Sequence, residues 1–134
     1  GVDKISTSGS CDIEVSGTIR SSSEIEFNLS GSGDIEATVD APSIKVTGSG
    51  SGNIKMRGRT KDFNCKVSGS GDISCAGLQS ENTTINISGS GDAHVFASVS
   101  LNASTSGSGD VFYSGDVQNK VVKTSGSGTV QRQP

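Results

Sequence analysis

Ser68-Gly69-Ser70-Gly71-Asp72-Ile73 is the stretch that decides the fold, because variants of this phrase recur through the whole chain. Seven copies follow one another in steps of 18 to 22 residues, with first serines at Ser8, Ser30, Ser49, Ser68, Ser88, Ser106 and Ser125. A fixed period near 20 residues is typical of repeat proteins, in which each unit buries its apolar side against its neighbours. We therefore expect a stack of about seven similar coils.

Apolar residues flank each copy of the phrase at odd offsets from its first serine, whereas Ser, Asp, Lys and Glu stand at even offsets. The position three residues before the serine holds Ile5, Phe27, Val46, Cys65, Ile85, Ala103 and Val122. The position five residues after it holds Ile13, Ile35, Ile54, Ile73, Ala93, Val111 and Val130. Alternation with period two, in residues that are often β-branched, predicts strands with one buried and one solvated face. No window has apolar residues at helical spacing.

The glycines of the phrase share the inward parity, as Gly31 and Gly33 illustrate. An inward residue without a side chain lets the chain turn a sharp corner around the core. Each coil is therefore predicted to contain one strand that ends at the glycines, a second strand that begins after the Asp, and a linker. We expect the variation in coil length to fall in such linkers, for example 40–43, 59–62 and 79–82.

The sequence thus predicts an all-β protein: a single-stranded β-solenoid, or β-helix, of about seven right-handed coils of roughly 20 residues, forming one domain over residues 1–134. The alternative is an antiparallel β-meander or sandwich, since glycine-rich pairs also form hairpin turns. A meander would need about fourteen strands, more than an open sheet usually holds. Charged residues at inward positions of the terminal coils fit solenoid ends that face water, namely Asp3, Lys120 and Arg132.

Charge and hydropathy exclude two classes of partner. The net charge is −3 and the isoelectric point is about 5.0. The densest basic stretch, residues 55–61, covers only one loop, so no surface tracks the phosphates of a nucleic acid. The chain has no apolar run long enough to cross a membrane, and we expect no direct membrane insertion.

The in-phase phrases, together with Tyr113 and Gly115 after the sixth of them, resemble the putative auto-transporter adhesin head domain (head GIN domain) family. The resemblance spans about residues 8–130. It implies a β-helical, exported bacterial protein of the periplasm, outer membrane or cell surface, with a role in adhesion and no assigned catalytic residues. It also implies further N-terminal sequence, so that this chain is expected to be the C-terminal part of a longer protein whose leader is not present here.

The position four residues after each first serine is the most suggestive chemically. It holds Asp12, Asp34, Asn53, Asp72, Asp92, Asp110 and Thr129, which a solenoid would stack along one outer edge. One interpretation is a binding surface, with a weak Ca²⁺ site at Asp72, Asp92 and Asp110, because hard cations prefer several oxygen ligands. The other is structural: each carboxylate accepts hydrogen bonds from backbone N–H groups of the glycine bend. The sequence favours the structural role.

Catalysis is not expected. His94 is the only histidine, and the periodicity places no acid where it would help this side chain activate a serine. A carbohydrate-active β-helix enzyme would need two carboxylates whose different environments separate their pKa values. The stacked Asp residues occupy equivalent positions and therefore have similar environments.

The late coils depart most from the repeat, and this departure indicates a binding face. Phe96 and Phe112 stand at outward positions, as an exposed patch or beneath the linkers. The candidate face contains Asp34, Asp72, Asp92, His94, Phe96, Asp110, Phe112 and Tyr113. We expect a non-catalytic adhesion module, without a cofactor, that recognises host or cell-surface glycans or proteins through a repeated outer face. The alternative is a rigid spacer.

The three cysteines are Cys11, Cys65 and Cys75. Cys65 and Cys75 stand at inward positions on either side of one glycine bend. Packed sheets lie about 10 Å apart, whereas a disulfide needs Cα atoms within about 7 Å, so the sequence favours free buried thiols. The spacings fit no zinc site.

Overall fold

The computed structural model describes residues 2–10 and 12–132, and this part of the chain contains twelve β-strands and no helix. The strands are β1 (Val2–Thr7), β2 (Ile13–Arg20), β3 (Glu24–Gly31), β4 (Ile35–Asp40), β5 (Ser43–Gly50), β6 (Ile54–Gly69), β7 (Ile73–Gly89), β8 (Ala93–Phe96), β9 (Ser100–Gly107), β10 (Val111–Ser114), β11 (Asn119–Gly126) and β12 (Val130–Arg132). Accordingly, no helix in the described ranges is long and apolar enough to span a membrane.

The strands form two parallel ladders that run along a β-solenoid of about seven coils. Ladder A contains the strands that end at the glycine bends: β1, β3, β5, residues 62–69 of β6, residues 82–89 of β7, β9 and β11. Ladder B contains the strands that follow the bends: β2, β4, residues 54–59 of β6, residues 73–79 of β7, β8, β10 and β12. Since every described pairing is parallel, the solenoid is confirmed and the antiparallel alternative is wrong.

The interior is filled by the residues at odd offsets, as the periodicity predicts. Two of the largest fully enclosed side chains are Phe27 and Phe63, both in ladder A, and Ile35 and Ile73 face the same core from ladder B. The buried residues form one continuous cluster along the stack. One side of each ladder therefore faces this core, and the other side faces solvent.

Six of the seven phrases have two glycines, and the first phrase has Cys11 in place of the second glycine. The first glycine of all seven phrases has a positive φ, between 79° and 121°, a conformation that is costly for any other residue. The second glycine has no such φ. At Gly71, for example, an added Cβ would collide with the carbonyl oxygen of Gly52 in the preceding coil. An added Cβ at the first glycine Gly69 would likewise collide with the Gly50 carbonyl oxygen. The first glycine is thus needed both for the turn of the chain and for close stacking, whereas the second is needed for the stacking alone.

The variation in coil length does not fall only in linkers, and on this point the sequence-based prediction is wrong. Strands β6 and β7 run without a break through residues 59–62 and 79–82, because these segments pair with each other in register. The extra residue of the fourth coil lies within ladder B instead, where the register shifts between Lys55/Ser74 and Arg57/Gly77. This β-bulge changes the direction in which the side chains of the strand point at Ala76.

The last coil is open to solvent. All residues of β11 are exposed, including Val121 and Val122. The Lys120 ammonium donates to the Tyr113 hydroxyl at 3.0 Å and lies 5.3 Å from the centre of its ring. Arg132 lies beyond Tyr113 in the register of ladder B and forms an ion pair with Asp116. Both cations therefore stand at the solvent-facing end, as predicted. The Asp3 side chain is outside the described part of the structure.

Cys65 and Cys75 are free thiols and fully buried, as the sequence favours. Burial raises the pKa of Cys65 well above its ordinary value, and a smaller contribution comes from the neighbouring Cys75. Burial likewise raises the pKa of Cys75 to about 12. Both residues therefore stay protonated and serve as small apolar groups in the fourth coil. Cys11 lies outside the described residues.

Candidate outer-face binding site

The outer side of ladder B collects seven of the eight residues that the sequence assigns to a binding face. Residues two apart on a strand point to the same side, and adjacent coils pair in register. The outward residues therefore form rows along the stack, and the face contains Asp34, Asp72, Asp92, His94, Phe96, Asp110 and Phe112. Tyr113 does not lie on it: its side chain points into the core and is 7% exposed.

His94 and Phe112 form an aromatic pair at the centre of the late coils. They are register partners on β8 and β10. Their ring centroids lie 4.9 Å apart with an angle of 17° between the ring planes, so the rings are stacked. Both side chains are half-buried. The strand spacing of a parallel ladder thus places two flat rings on top of one another at the surface.

Phe96 lies beside this pair and its backbone is held from inside. The buried hydroxyls of Ser80 and Thr83 each donate to the Phe96 carbonyl oxygen at 2.7 Å. The Phe96 ring lies against Gly115, where an added Cβ would be 3.1 Å from the ring atom Cε2. Gly115 belongs to the linker between β10 and β11, so Phe96 is half-buried at the rim of the face and partly covered by that linker.

A hollow of about 360 Å³ opens next to the aromatic pair. Its lining comprises Lys55, Met56, Arg57, Ser74, Ala76, Gly77 and His94. The hollow lies at the register shift of the fourth coil, where small residues stand between larger neighbours on the adjacent coils. It therefore combines two cations on one side with an aromatic ring on the other.

Glu36 holds the two cations of this hollow. The Arg57 Nη2 donates to the Glu36 Oε1 at 2.6 Å, and the Lys55 Nζ lies 3.9 Å from the same oxygen. All three side chains are about half exposed. The Arg57 stem lies over Gly77, where an added Cβ would be 3.0 Å from the Arg57 Cγ. The glycine thus leaves the space in which Arg57 lies.

The residues four positions after each first serine, here called the aspartate row, are connected by hydrogen bonds from coil to coil. In each step the side-chain oxygen Oδ1 of one row member accepts the backbone N–H of the next, at 2.8 to 3.1 Å, from Asp12 to Thr129. The donor is therefore the next member of the row and not the glycine bend that we expected. Asn53 takes part through its own Oδ1, because the step requires an acceptor and not a charge.

Replacement of Asp72 tests this pattern. We expect Asp72→Ala to lower the free energy of unfolding by about 1 kcal/mol, because the N–H of Asp92 loses its acceptor at 3.1 Å. Asp72→Asn keeps the acceptor, and we expect a change below about 0.5 kcal/mol. Urea unfolding of both variants measures the difference. If the asparagine variant lost as much stability as the alanine variant, the carboxylate charge and not the hydrogen bond would be responsible.

Within residues 2–10 and 12–132, no group of three or more His, Cys, Asp or Glu side chains is arranged to hold a metal ion. Asp72, Asp92 and Asp110 lie in successive coils, and each commits one oxygen to the next backbone N–H. A Ca²⁺ ion at these residues would have to use the remaining oxygens.

The hollow with its two cations was not predicted from the sequence, where residues 55–61 were expected to form one loop. That expectation is wrong, because these residues belong to strand β6. The signal that could have found it is the 20-residue step between Ser68 and Ser88, one residue longer than the two steps before it. The sequence does not say where in the coil the extra residue lies. Only the strand register places it at Ala76, beside His94.

A second surface feature runs along the outer side of ladder A. Two consecutive hollows of about 450 and 270 Å³ share Thr47 and together extend over all seven coils. The rows of side chains on either side are small and polar, apart from Lys66 and Lys123. Unlike the face of ladder B, this groove follows the repeat closely, and none of its described lining residues is aromatic.

Comparison with known proteins identifies similar sequences and folds. The family described as "Putative auto-transporter adhesin, head GIN domain" matches residues 1–117. No curated protein matches the chain.

Several crystal structures share the fold. A putative lipid binding protein from Parabacteroides distasonis ATCC 8503 is 30% identical with a TM-score of 0.93, over 98% of this chain and 53% of that chain. A putative adhesin from the same organism is 27% identical with a TM-score of 0.91, over 98% of this chain and 56% of that chain. A putative adhesin from Bacteroides fragilis NCTC 9343, 22% identical over 98% of this chain and 60% of that chain, has a TM-score of 0.93 and is similar in fold alone. The chain therefore spans little more than half the length of these structures.

Proposed function

The chain belongs to the putative auto-transporter adhesin, head GIN domain family, and from this premise we propose that it is a non-catalytic adhesion module that recognises a glycan or a protein through the outer face of ladder B. The family implies an exported or cell-surface protein. Within that range, we propose the bacterial cell surface or outer envelope as its place of action.

The observation that carries this proposal is the local departure from the repeat. Most outward positions of the solenoid hold small or charged residues, whereas the late coils of ladder B hold His94, Phe96 and Phe112 together on one side. Partly exposed aromatic side chains beside a hollow are typical of recognition surfaces, because they supply a large contact area at a small cost in conformational entropy. A uniform scaffold gives no reason for such a cluster.

The same face offers polar groups that suit a glycan. Asp92 and Asp110 stand two residues before His94 and Phe112, respectively, on the same outer side, and each has one remaining carboxylate oxygen. Carboxylates accept hydrogen bonds from hydroxyl groups, and the faces of aromatic rings attract polarised C–H groups. These are the two kinds of surface that a sugar ring presents.

A rigid spacer is the alternative function. The continuous backbone hydrogen bonding between coils and the glycine stacking favour a stiff rod, whose length alone could be its contribution. A third candidate ligand is a lipid, because one of the similar solved structures is called a putative lipid binding protein. Binding measurements separate these alternatives.

The test is binding of the purified chain to an array of surface glycans and extracellular-matrix proteins, and to phosphatidylcholine vesicles, with and without Ca²⁺. The double variant Phe96→Ser and Phe112→Ser removes the aromatic groups, and serine already stands at equivalent outward positions at Ser74 and Ser114. We expect the variant to lose at least about tenfold in affinity for the ligand that the wild type binds.

The matched control changes the outer side of ladder A by Lys66→Ser and Asn86→Ser, at a row where Ser104 is the natural residue. We expect this control to bind as the wild type does. Full retention of binding by the double phenylalanine variant would contradict the proposed face. Absence of any binding by the folded wild type would leave the spacer as the better account.

A further inference from the structure

We propose that the hollow between Arg57 and His94 binds the carboxylate of an acidic sugar residue, so that the ligand of this face is an acidic polysaccharide. This inference rests on the proposed function, because it assigns a substrate class to the same face. Three features of the hollow support it: its size, the incomplete neutralisation of its two cations, and the position of its aromatic wall.

The hollow is large enough for one sugar residue. Its volume of about 360 Å³ falls in the lower part of the range of small-molecule sites, roughly 300 to 1,000 Å³. The space exists because the small residues Ala76 and Gly77 stand on the outer face, where Arg57 is the register partner of Gly77 in the preceding coil. The bulge in ladder B thus opens a local concavity in a surface that is otherwise a regular row of side chains.

The cations at the hollow have capacity for an anion. Among the described residues, Lys55 has one ion-pair contact, with Glu36 at 3.9 Å, a distance too long for a hydrogen bond. Arg57 uses its Nη2 in the bond to Glu36, and a guanidinium has five N–H donors in a planar fork. None of the lining residues that the structure describes is acidic. A carboxylate entering the hollow therefore meets two positive groups that one glutamate neutralises only in part, and Arg–carboxylate pairing is charge-assisted.

The aromatic wall favours a sugar over other carboxylates. His94 lines the hollow and is stacked on Phe112 in the next coil. A sugar ring whose carboxylate contacts Arg57 can place its C–H groups against His94, and the following residue of the polymer then reaches Phe112. An acidic peptide would satisfy the cations but would leave this flat aromatic surface without a partner.

Gly77 has a positioning role in this site. An added Cβ there would come within 3.0 Å of the Arg57 Cγ and would force the side chain to move. Gly77 has no positive φ, so alanine causes no backbone strain at this exposed position. The variant Gly77→Ala therefore preserves every charge and tests the position of Arg57 separately from its charge.

The experiment compares two forms of one polymer, polygalacturonate and its methyl ester, as ligands for the wild type by titration calorimetry at low salt. Esterification removes the carboxylate charge and keeps the sugar chain. We expect the wild type to bind polygalacturonate at least about tenfold more tightly than the ester, because the ester loses the ion pair with Arg57 and Lys55. Polyglutamate serves as a carboxylate polymer without sugar rings, and we expect weaker binding to it.

Substitutions at the hollow test which residues bind the polymer. We expect Lys55→Gln with Arg57→Gln to remove the preference for polygalacturonate over the ester. Gly77→Ala should weaken binding severalfold, and Glu36→Gln should strengthen it, because the competing carboxylate is removed. The control Lys66→Gln removes a cation from the outer side of ladder A and should bind as the wild type. Urea unfolding verifies that each variant is folded.

The possible results separate this inference from the proposed function. Equal binding of both polymer forms, or an unchanged preference in the Lys55/Arg57 variant, would overturn the carboxylate site and would leave the adhesion face untouched. Equal or tighter binding of polyglutamate would overturn the assignment to a polysaccharide. A wild type that binds array ligands through Phe96 and Phe112 but not polygalacturonate would also overturn it, whereas a wild type that binds nothing overturns both.

Discussion

Replacing Gly71 with alanine is expected to lower the free energy of unfolding by about 3 kcal/mol or more, which is a large part of the stability of a domain of this size. The added Cβ would overlap the carbonyl oxygen of Gly52 and would lie 2.8 Å from its carbonyl carbon. The obstacle is backbone, so no side-chain rotation relieves it. The coils must separate at the corner where Ser70 donates its N–H to the Gly50 carbonyl at 3.1 Å.

The matched control is Gly9→Ala in the first coil. Gly9 has a positive φ of 79°, but an added Cβ there meets no atom within 4 Å. We therefore expect this variant to lose about 1 to 2 kcal/mol of its free energy of unfolding, through the strained backbone conformation alone. Urea unfolding monitored by circular dichroism measures both variants. A loss at Gly71 no larger than the loss at Gly9 would show that the close contact between coils is not what requires glycine at this corner.

Truncation of Phe63 to alanine is the second large effect, and we expect a loss of about 3 to 5 kcal/mol. Phe63 is 2% exposed and lies in the fourth of seven coils, with Ile44 and Thr83 as register partners in the adjacent coils. Removing the ring leaves a cavity that the coils cannot close, because their separation is set by backbone hydrogen bonds. In a repeat protein such a defect also weakens the coupling between the two halves of the stack.

The same truncation at Phe112 provides the contrast. Phe112 is half-buried on the outer face of ladder B, and we expect Phe112→Ala to cost less than about 1 kcal/mol, because no enclosed cavity forms. Denaturant unfolding of the two variants decides the point. A loss of several kcal/mol at Phe112 would mean that this aromatic pair is part of the folding core and would weaken its assignment as a recognition surface.

Much of the candidate face could be predicted from the sequence, because its residues stand at outward positions of a regular repeat. Knowing the period and the parity places Asp92, His94 and Phe96 on one side of one strand, and the in-phase phrases place Asp110 and Phe112 beside them. Tyr113 differs by one position and therefore has the opposite parity, which sends its ring into the core. The parity rule itself would have corrected this assignment.

The partners of the aspartate row could not be predicted in the same way. The sequence shows that Asp and Asn recur at one position, and turn chemistry then points to the nearest backbone N–H groups. In the structure, the Asp34 Oδ1 accepts the backbone N–H of Asn53, which is 19 residues away in the chain. This choice depends on the vertical offset between coils, and that offset is a property of the stacked structure.

The sequence alone determines the architecture of this protein: strands, a bend at every glycine pair, a core of odd positions and a stack of about seven coils. Repetition makes this possible, because each coil is dictated by the same local alternation and the same backbone requirement for glycine. Only the tertiary structure decides where the extra residue of the fourth coil lies, and hence that Arg57 and His94 face one hollow. Strand register is set by packing and hydrogen bonding between coils, which no single repeat encodes.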